Sequence, residues 1–154
     1  MLKVSSKGRY GVKAVYELAL HYGRGPVTVS LIAQSQNISE QYLEQLMPAL
    51  KRAGIVKGIR GAQGGYMLAR DPAAVSVRDV VGAVEGPIVL TDCSNESEQT
   101  VGCNELERCI GPDVWARVQD AMVDAMAAIS FEQLINQQRV QAKRRLTLVK
   151  ESGG

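Results

Sequence analysis

Aromatic side chains and histidine are both scarce in this sequence. Phe131 and Trp115 are the only Phe and Trp among 154 residues, which also include five Tyr, so we expect a mainly aliphatic core. The single histidine, His21, has no neighbouring nucleophile, and no phosphate-binding glycine motif follows a predicted strand. We therefore do not expect an enzyme.

Long apolar runs are also absent. No stretch approaches the roughly 18 apolar residues that a membrane-spanning helix needs, and the first residues, MLKVS, lack the apolar part of a signal peptide. We therefore expect a soluble, cytoplasmic protein with no membrane partner.

The chain has three cysteines, Cys93, Cys103 and Cys109. In a reducing compartment, an odd number favours metal or redox chemistry over structural disulfides.

The charges are strongly segregated along the chain. Residues 1–70 contain ten Lys or Arg and three Glu, whereas residues 71–138 contain three Arg and twelve Asp or Glu. The segment from residue 139 adds five basic residues and one acid. A basic half and an acidic half indicate two tasks, with a polyanion as partner of the first, although a solvated basic face would give the same pattern.

The N-terminal half has the pattern of a helix-turn-helix. A helix capped by Ser5 or Ser6 is predicted to run to about residue 21, and Thr28 caps a short helix over residues 29–35. Ser39 caps a third helix that ends near Gly54. Two helices joined by a tight polar turn, after a leading helix, are the elements of this DNA-binding motif.

A β-hairpin is predicted directly after these helices. Residues 55–59 and 66–68 have the composition of strands, and the glycine-rich RGAQGG between them is typical of a loop. Arg60 lies at the base of this loop, and Gly61, Gly64 and Gly65 allow its backbone to approach another surface closely. A hairpin in this position is the wing of a winged helix, although the segment alone would fit an ordinary hairpin.

The C-terminal half contains the longest regular pattern. A helix is predicted over residues 112–128, with an apolar stripe that includes Trp115, Val118 and Met122. Such a stripe fits either core packing or a partner helix in a dimer.

The predicted fold is mainly α, with a small β-hairpin wing and a long dimerisation helix. Its regions are a winged helix-turn-helix DNA-binding domain (1–86), a cysteine-containing loop (87–111), the dimerisation helix with a following short helix (112–138), and a basic, disordered tail (139–154).

Several phrases resemble one known family. SSKGRYGVKAVYELAL, SEQYLEQL, GIVKGIRGAQGGYML, VVGAVEGPI and AISFEQLINQQ are similar to the Rrf-two family of bacterial winged-helix regulators, of the IscR, NsrR and CymR kind, over nearly all of residues 3–138. The resemblance implies a homodimer that binds double-stranded DNA at a near-palindromic operator. It also implies, as in several members, an iron–sulfur cluster on the three cysteines whose state sets DNA affinity.

The resemblance also suggests which residues bind DNA. The base-reading part of the third helix would comprise Ser39, Gln41, Tyr42, Glu44 and Gln45. Arg60 would enter the minor groove from the wing formed with Gly61, Gly64 and Gly65. The first helix would contact or support the DNA backbone through Lys7, Arg9 and Tyr10.

The chemistry of these side chains agrees with such roles. Gln can read adenine through two hydrogen bonds, and a carboxylate such as Glu44 can accept from cytosine N4. An Arg on a glycine-rich loop suits a narrow, electronegative minor groove. Two alternatives remain open, since Tyr42 lies on the apolar side of its helix and fits the core, and Glu44 fits an ion pair.

The cysteines follow the spacing C-x9-C-x5-C. Thiolates in a loop rich in Ser, Asn and Gly suit an iron–sulfur cluster, [2Fe-2S] or [4Fe-4S], whereas structural zinc sites use more closely spaced pairs. A disulfide with one free thiol is the alternative. The first gap is longer than the five residues common in IscR-like members, and Pro112 stands where IscR has a histidine ligand.

Asp113 is the predicted fourth ligand, because it adjoins the position of that missing histidine. Glu105, Glu107, a water molecule or a small thiol are alternatives, and Asp113 would equally suit the N-terminus of a helix.

The leading functional prediction is a transcription regulator controlled by an iron–sulfur cluster. One alternative is a cluster-free thiol-redox or cysteine-metabolism regulator. A second, from another class, is an iron–sulfur scaffold or carrier, against which the basic wing and SEQYLEQL argue, because a carrier has no use for them.

Overall fold

The computed structural model describes residues 5–90 and 111–152 of the chain. Within these ranges it contains six α-helices, a two-stranded antiparallel sheet and a 3-10 turn. The elements in order are α1 (Ser6–Leu20), α2 (Val29–Gln36), α3 (Glu40–Arg52), β1 (Val56–Ile59), β2 (Gly65–Leu68), the 3-10 turn (Pro72–Ala74), α4 (Val77–Glu85), α5 (Gly111–Ala127) and α6 (Phe131–Ser152). The predicted fold class, mainly α with a β-hairpin wing, is confirmed.

Most of the helices begin where a short polar side chain satisfies the first backbone N–H groups. Ser5, Thr28, Ser39 and Ser76 each accept a hydrogen bond from an N–H in the first turn of the following helix, and Ser130 does the same for α6, so that five helices are capped in this way. Each such cap contributes about 1 kcal/mol. Asn37 ends α2 in the left-handed conformation (φ 52°) and turns the chain into α3.

The wing is attached to the helical head by a backbone contact. In the hairpin, Val56 pairs with Leu68 and Ile59 with Gly65. Val27, just before α2, exchanges two backbone hydrogen bonds of 2.8 Å with Tyr66 of β2. This bridge, which the sequence pattern did not indicate, fixes the wing against the helix-turn-helix.

The core of the head is aliphatic, with one Phe. The side chains of Leu18, Ile32, Leu43 and Leu50 are completely or almost completely buried, and Phe131 of α6 packs among them. The N–H of Phe131 donates to the carbonyl oxygen of Val75 at 3.0 Å. The start of α6 therefore belongs to the head, although α5 precedes it in the chain.

Helix α6 is longer than predicted. It continues to Ser152, whereas the sequence pattern predicts a short helix followed by a disordered tail from residue 139. No Gly or Pro interrupts residues 131–152, so the sequence contains no strong stop signal before Gly153. In the part of the chain that the structure describes, no helix combines the length and apolar character needed to cross a membrane.

Candidate nucleic-acid interface and cysteine segment

The N-terminus of α1 combines exposed basic side chains with a carboxylate from α4. Lys7 and Arg9 are exposed. The Glu85 carboxylate, at the end of α4, accepts from the Ser5 hydroxyl and, at 2.8 Å, from the N–H of Gly8. A carboxylate stabilises the positive end of a helix dipole. Because the Glu85 carboxylate already accepts from a backbone N–H at the N-terminus of α1, a phosphate near α1 would be bound by the Lys7 and Arg9 side chains and not by the backbone.

An aromatic pair joins α1 to α3. The rings of Tyr10 and Tyr42 meet edge to face, with centroids 5.2 Å apart and an interplanar angle of 84°. The guanidinium of Arg9 lies 5.8 Å, and the ammonium of Lys13 5.9 Å, from the centroid of the Tyr10 ring. The structure thus brings the predicted residues of α1 and α3 together. Lys13, which the sequence analysis did not include among the candidate DNA-binding residues, follows Tyr10 by about one helical turn.

Helix α3 separates its apolar and polar side chains cleanly. Leu43, Leu46 and Met47 are buried, whereas Gln41, Glu44 and Gln45 are exposed. Of the remaining predicted residues, Ser39 caps the helix by accepting from the N–H of Tyr42 at 3.2 Å, and Tyr42 is half-buried against the core. The exposed amides and carboxylate form a polar face that can donate to and accept from base edges.

The wing presents an exposed Arg60 on a loop whose glycines are required by backbone geometry. Gly61 has φ +114°, and a Cβ at Gly64 would lie 2.4 Å from the carbonyl oxygen of Ile59. A Cβ at Gly65 would lie 2.3 Å from the carbonyl oxygen of Val27. These glycines therefore shape the loop that carries Arg60, whatever else they contact.

A buried polar cluster ties α1 to the end of α2. Glu17 is the one buried charged residue within the described ranges, 5 % exposed. The Gln36 side-chain amide donates to its carboxylate at 2.7 Å, and Lys13 Nζ donates to the Gln36 carbonyl oxygen at 3.4 Å. His21 Nδ1 lies 3.0 Å from the carbonyl oxygen and 3.6 Å from the carboxylate of Glu17. These contacts set the position of the helix-turn-helix turn.

Helix α5 exposes an apolar face. Val114, Trp115 and Val118 are 46 %, 42 % and 39 % exposed, and a shallow groove along the helix is lined mostly by small and apolar side chains, including Met122 and Ala125. Exposed apolar patches occur at protein–protein, membrane and ligand-binding surfaces.

The three predicted cysteine ligands lie in residues 91–110, which we call the cysteine segment and which are outside the described residues. The residues on either side of this segment lie within the described ranges. Asp113, the predicted fourth ligand, is exposed in the first turn of α5. On the other side of the segment, the N–H of Leu90 donates to Gln119 Oε1 of α5 at 3.1 Å. Both flanks of the cysteine segment thus adjoin α5. Among the described residues, no group of three or more His, Cys, Asp or Glu could hold a metal ion.

The donor set of this segment is compatible with an iron–sulfur cluster. Three thiols within one segment, with an exposed carboxylate at its end, supply up to four anionic ligands, and such clusters are held mainly by thiolates. The exposure of Asp113 leaves its oxygens accessible to a ligand.

Comparison with known proteins gives a family. Residues 4–137 match the Rrf2 family model, described as an iron-dependent transcriptional regulator. The chain is 38 % identical over 133 residues to the HTH-type transcriptional regulator CymR of Bacillus subtilis, covering 86 % of this chain and 89 % of CymR. It is 37 % identical over 139 residues to IscR of Photorhabdus laumondii, covering 90 % of this chain and 82 % of IscR.

Solved structures agree with these sequence matches. The T. potens IscR structure has a TM-score of 0.72 and 37 % identity, covering 89 % of this chain and 88 % of that one. The structure of B. subtilis CymR, described as the global cysteine regulator, has a TM-score of 0.71 and 40 % identity, covering 89 % and 98 % of the two chains. With a family match over most of its length and relatives of this similarity, the chain belongs to the Rrf2 family of DNA-binding transcription regulators.

Proposed function

We propose that the protein is a homodimeric transcription regulator that binds a near-palindromic operator, acts in the cytoplasm, and has an operator affinity set by an iron–sulfur cluster. The observation that carries the DNA-reading part is the exposed polar face of α3, where Gln41, Glu44 and Gln45 project next to a buried apolar face. Arg60 reads the adjacent minor groove from the wing, and Lys7 and Arg9 bind phosphates.

The homodimer is formed through α5. Its exposed Val114, Trp115 and Val118 side chains are covered when two copies pack these helices against each other. Two α3 helices, related by the two-fold axis of the dimer, then read the two halves of a near-palindromic operator.

Cys93, Cys103 and Cys109 would hold the cluster, with Asp113 as the fourth ligand. When bound, the cluster supplies a link between thiolates that responds to iron, oxygen or redox conditions. The carboxylate of Asp113 is exposed, and it would supply an oxygen ligand, which an iron–sulfur cluster favours less than a thiolate.

The cysteine segment can affect DNA binding through two contacts of the residues that precede it. Leu90 contacts Gln119 on the dimerisation helix. Glu85, at the end of α4, holds the N-terminus of α1 beside Lys7 and Arg9. Binding or loss of a cluster at the three cysteines would therefore act on the spacing of the two heads and on the position of the phosphate-binding side chains, which would change operator affinity.

A second candidate function is a cluster-free thiol regulator of cysteine metabolism. The observation that favours it is the 38 % identity to CymR, described as a global cysteine regulator. In that case the three cysteines oxidise reversibly, and no metal is involved.

The two candidates differ in anaerobically purified protein. A broad visible absorbance, with iron and acid-labile sulfide in matching amounts per chain, supports the cluster, and Asp113→Ala then tests the fourth ligand through the spectrum. A colourless protein that resists reconstitution, with operator affinity that responds to a thiol oxidant, supports the thiol regulator. Operator affinity is also compared with and without cluster reconstitution, in the wild type and in a variant with all three cysteines replaced by Ala. If none of these affinities differs, the cluster mechanism is wrong.

DNA reading is tested separately from cluster chemistry. The operator is selected from a random duplex library by the full-length protein, and Gln41→Ala and Arg60→Ala are compared on it. Each substitution removes a side chain that reaches into a groove, and we expect about 1–3 kcal/mol less discrimination for Gln41→Ala at one base pair. Arg78→Ala, an exposed site on α4, serves as the control. Failure to select any sequence would overturn the proposal.

A further inference from the structure

The C-terminal half of α6 carries positive charge far beyond the last residue that the head buries. Phe131 and Ile135 are the buried residues of α6 in the part with described side chains, and every residue from 136 to 146 is exposed. This portion holds Arg139, Lys143, Arg144 and Arg145. We call residues 139–152 the basic extension.

Two of the basic side chains of the extension, Arg144 and Arg145, have no acidic partner in the part of the chain that the structure describes. The one acid of the extension is Glu151, against five Lys or Arg. Like charges at i and i+4, such as Arg139 and Lys143, weaken an isolated helix. A helix of this kind gains stability when a polyanion neutralises it.

The distribution of charge favours a nucleic acid as the partner. At about 100° per residue, Arg139 and Lys143 fall on one side of the helix and Arg144 and Arg145 on two others. The exposed Val140 and Leu146, 51 % and 64 % exposed, do not share a stripe. A membrane-surface helix needs a continuous apolar face, and a tight protein interface needs a packed apolar centre. Phosphates on both sides of a DNA groove need neither.

The basic extension starts beside the proposed DNA-binding face. Gln138 and Gln141 of α6 line a groove together with Lys13 and Gln36. Lys13 reaches the Tyr10 ring, which contacts α3 through Tyr42. Gln36 is the last residue of α2, at the turn into α3. The positive charge of α1 is thus continued by α6.

We propose that the basic extension is a second, sequence-independent DNA contact, which binds phosphates outside the bases that α3 and the wing read. From Arg139 to Lys150 the helix rises about 16 Å, long enough to contact several phosphates. This proposal rests on the proposed function, since it extends the footprint of the same DNA-bound protein. It assigns to the extension a share of affinity and none of the sequence preference.

The test is a charge-neutralised, full-length variant, Lys143→Gln/Arg144→Gln/Arg145→Gln, in which Gln preserves helix propensity. The matched control, Arg24→Gln/Arg70→Gln/Arg78→Gln, removes the same charge from exposed positions elsewhere. Binding to the selected operator and to a random-sequence 40-base-pair duplex is measured by fluorescence anisotropy over a series of salt concentrations. Circular dichroism verifies that both variants keep their helix content.

For the basic-extension variant, we expect the slope of log K against log salt to fall by about 0.9 for each phosphate that the protein no longer neutralises. Affinity for the operator and for random DNA falls by the same factor, at least about tenfold near 0.1 M salt, because side chains that bind phosphates read no bases. The control keeps the wild-type slope. An unchanged slope, or equal changes in both variants, would overturn the proposal.

Two further results would also overturn it. If the basic-extension variant dissociates to monomers in sedimentation experiments while the control does not, the extension contacts the second copy, for example exposed Asp120 and Asp124 of α5. If the wild type binds vesicles of anionic phospholipid as tightly as random DNA, and the variant loses both equally, the extension is a general anion binder. Failure of the proposed function is distinct, because it appears as no operator preference in the wild type.

Discussion

The backbone N–H of Gly8 donates to the carboxylate of Glu85 at 2.8 Å, across 77 residues of sequence. It connects the first turn of α1, with its exposed Lys7 and Arg9, to the last residue of α4. Glu85, at the end of the helix that precedes the cysteine segment, therefore holds the start of α1.

Replacing Glu85 tests this connection. Glu85→Gln keeps an acceptor but removes the charge that faces the N-terminus of α1, so we expect the free energy of unfolding to fall by about 0.5–1 kcal/mol. Urea denaturation at a fixed protein concentration measures it. Asp124→Asn, at an exposed site on α5, is the control and should stay within about 0.5 kcal/mol of the wild type. Equal effects of the two substitutions would refute the role of Glu85.

The aromatic contact between Tyr10 and Tyr42 couples α1 to α3. In a double-mutant cycle of Tyr10→Ala and Tyr42→Ala, we expect a coupling free energy of about 0.5–1.5 kcal/mol, typical of edge-to-face pairs. The exposed Tyr22 provides a control cycle with Tyr10, for which the coupling should be near zero. Additive effects of Tyr10→Ala and Tyr42→Ala would contradict the prediction.

Two wing glycines allow a matched comparison. Gly65→Ala places a Cβ 2.3 Å from the Val27 carbonyl oxygen, whereas at Gly58 the nearest atom, in the Tyr66 ring, is at an ordinary 3.7 Å. We expect Gly65→Ala to lower the free energy of unfolding by more than about 1 kcal/mol, and Gly58→Ala to be neutral or slightly stabilising. Thermal or urea denaturation of both variants provides the measurement. A neutral Gly65→Ala would mean that the bridge between Val27 and the wing is dispensable.

Gln36 stabilises the buried Glu17 carboxylate through a 2.7 Å hydrogen bond. Gln36→Ala leaves that carboxylate without its amide donor, and we expect a loss of about 1–3 kcal/mol in the free energy of unfolding. Gln34→Ala, at an exposed position of the same helix, controls for helix propensity and should have little effect. If both substitutions have the same effect, the hydrogen bond is not a stabilising one.

The raised pKa of Tyr16 leads us to expect that stability depends on pH in the alkaline range. Burial, and secondly the charge of Glu17, raise the pKa of Tyr16 above its ordinary 10.0, against an opposing effect of Arg139. The native state therefore retains the phenolic proton to higher pH than the unfolded chain does. Above about pH 10 the unfolded chain binds fewer protons than the native state, so the free energy of unfolding falls as pH rises.

The Tyr16→Phe variant lacks this proton, and every other group is shared with the wild type. The difference in unfolding free energy between wild type and variant should be constant below about pH 9. Above about pH 10, the unfolding free energy of the wild type should fall relative to that of the variant. Urea denaturation at several pH values measures the difference. Parallel curves across this range would contradict the raised pKa.

Much of the DNA-binding head followed from local sequence. The caps at Thr28 and Ser39, and the division of α3 into buried Leu43 and exposed Gln41 and Glu44, agree with the structure because capping and the 3.6-residue period involve residues that are close in the chain. The RGAQGG loop was likewise recognisable, because glycines mark a turn wherever it packs. The local pattern did not predict that α6 runs to Ser152.

The sequence by itself determined where most of the helices begin, which hairpin forms the wing, and which faces are apolar. Only the tertiary structure decided that Glu85 holds the start of α1, that Gln36 satisfies Glu17, and that Val27 fastens the wing through Tyr66. The physical reason is that a hydrogen-bond donor or acceptor has no sequence period that identifies its distant partner. Its partner is set by how the amphipathic faces pack, and packing is a property of the whole chain.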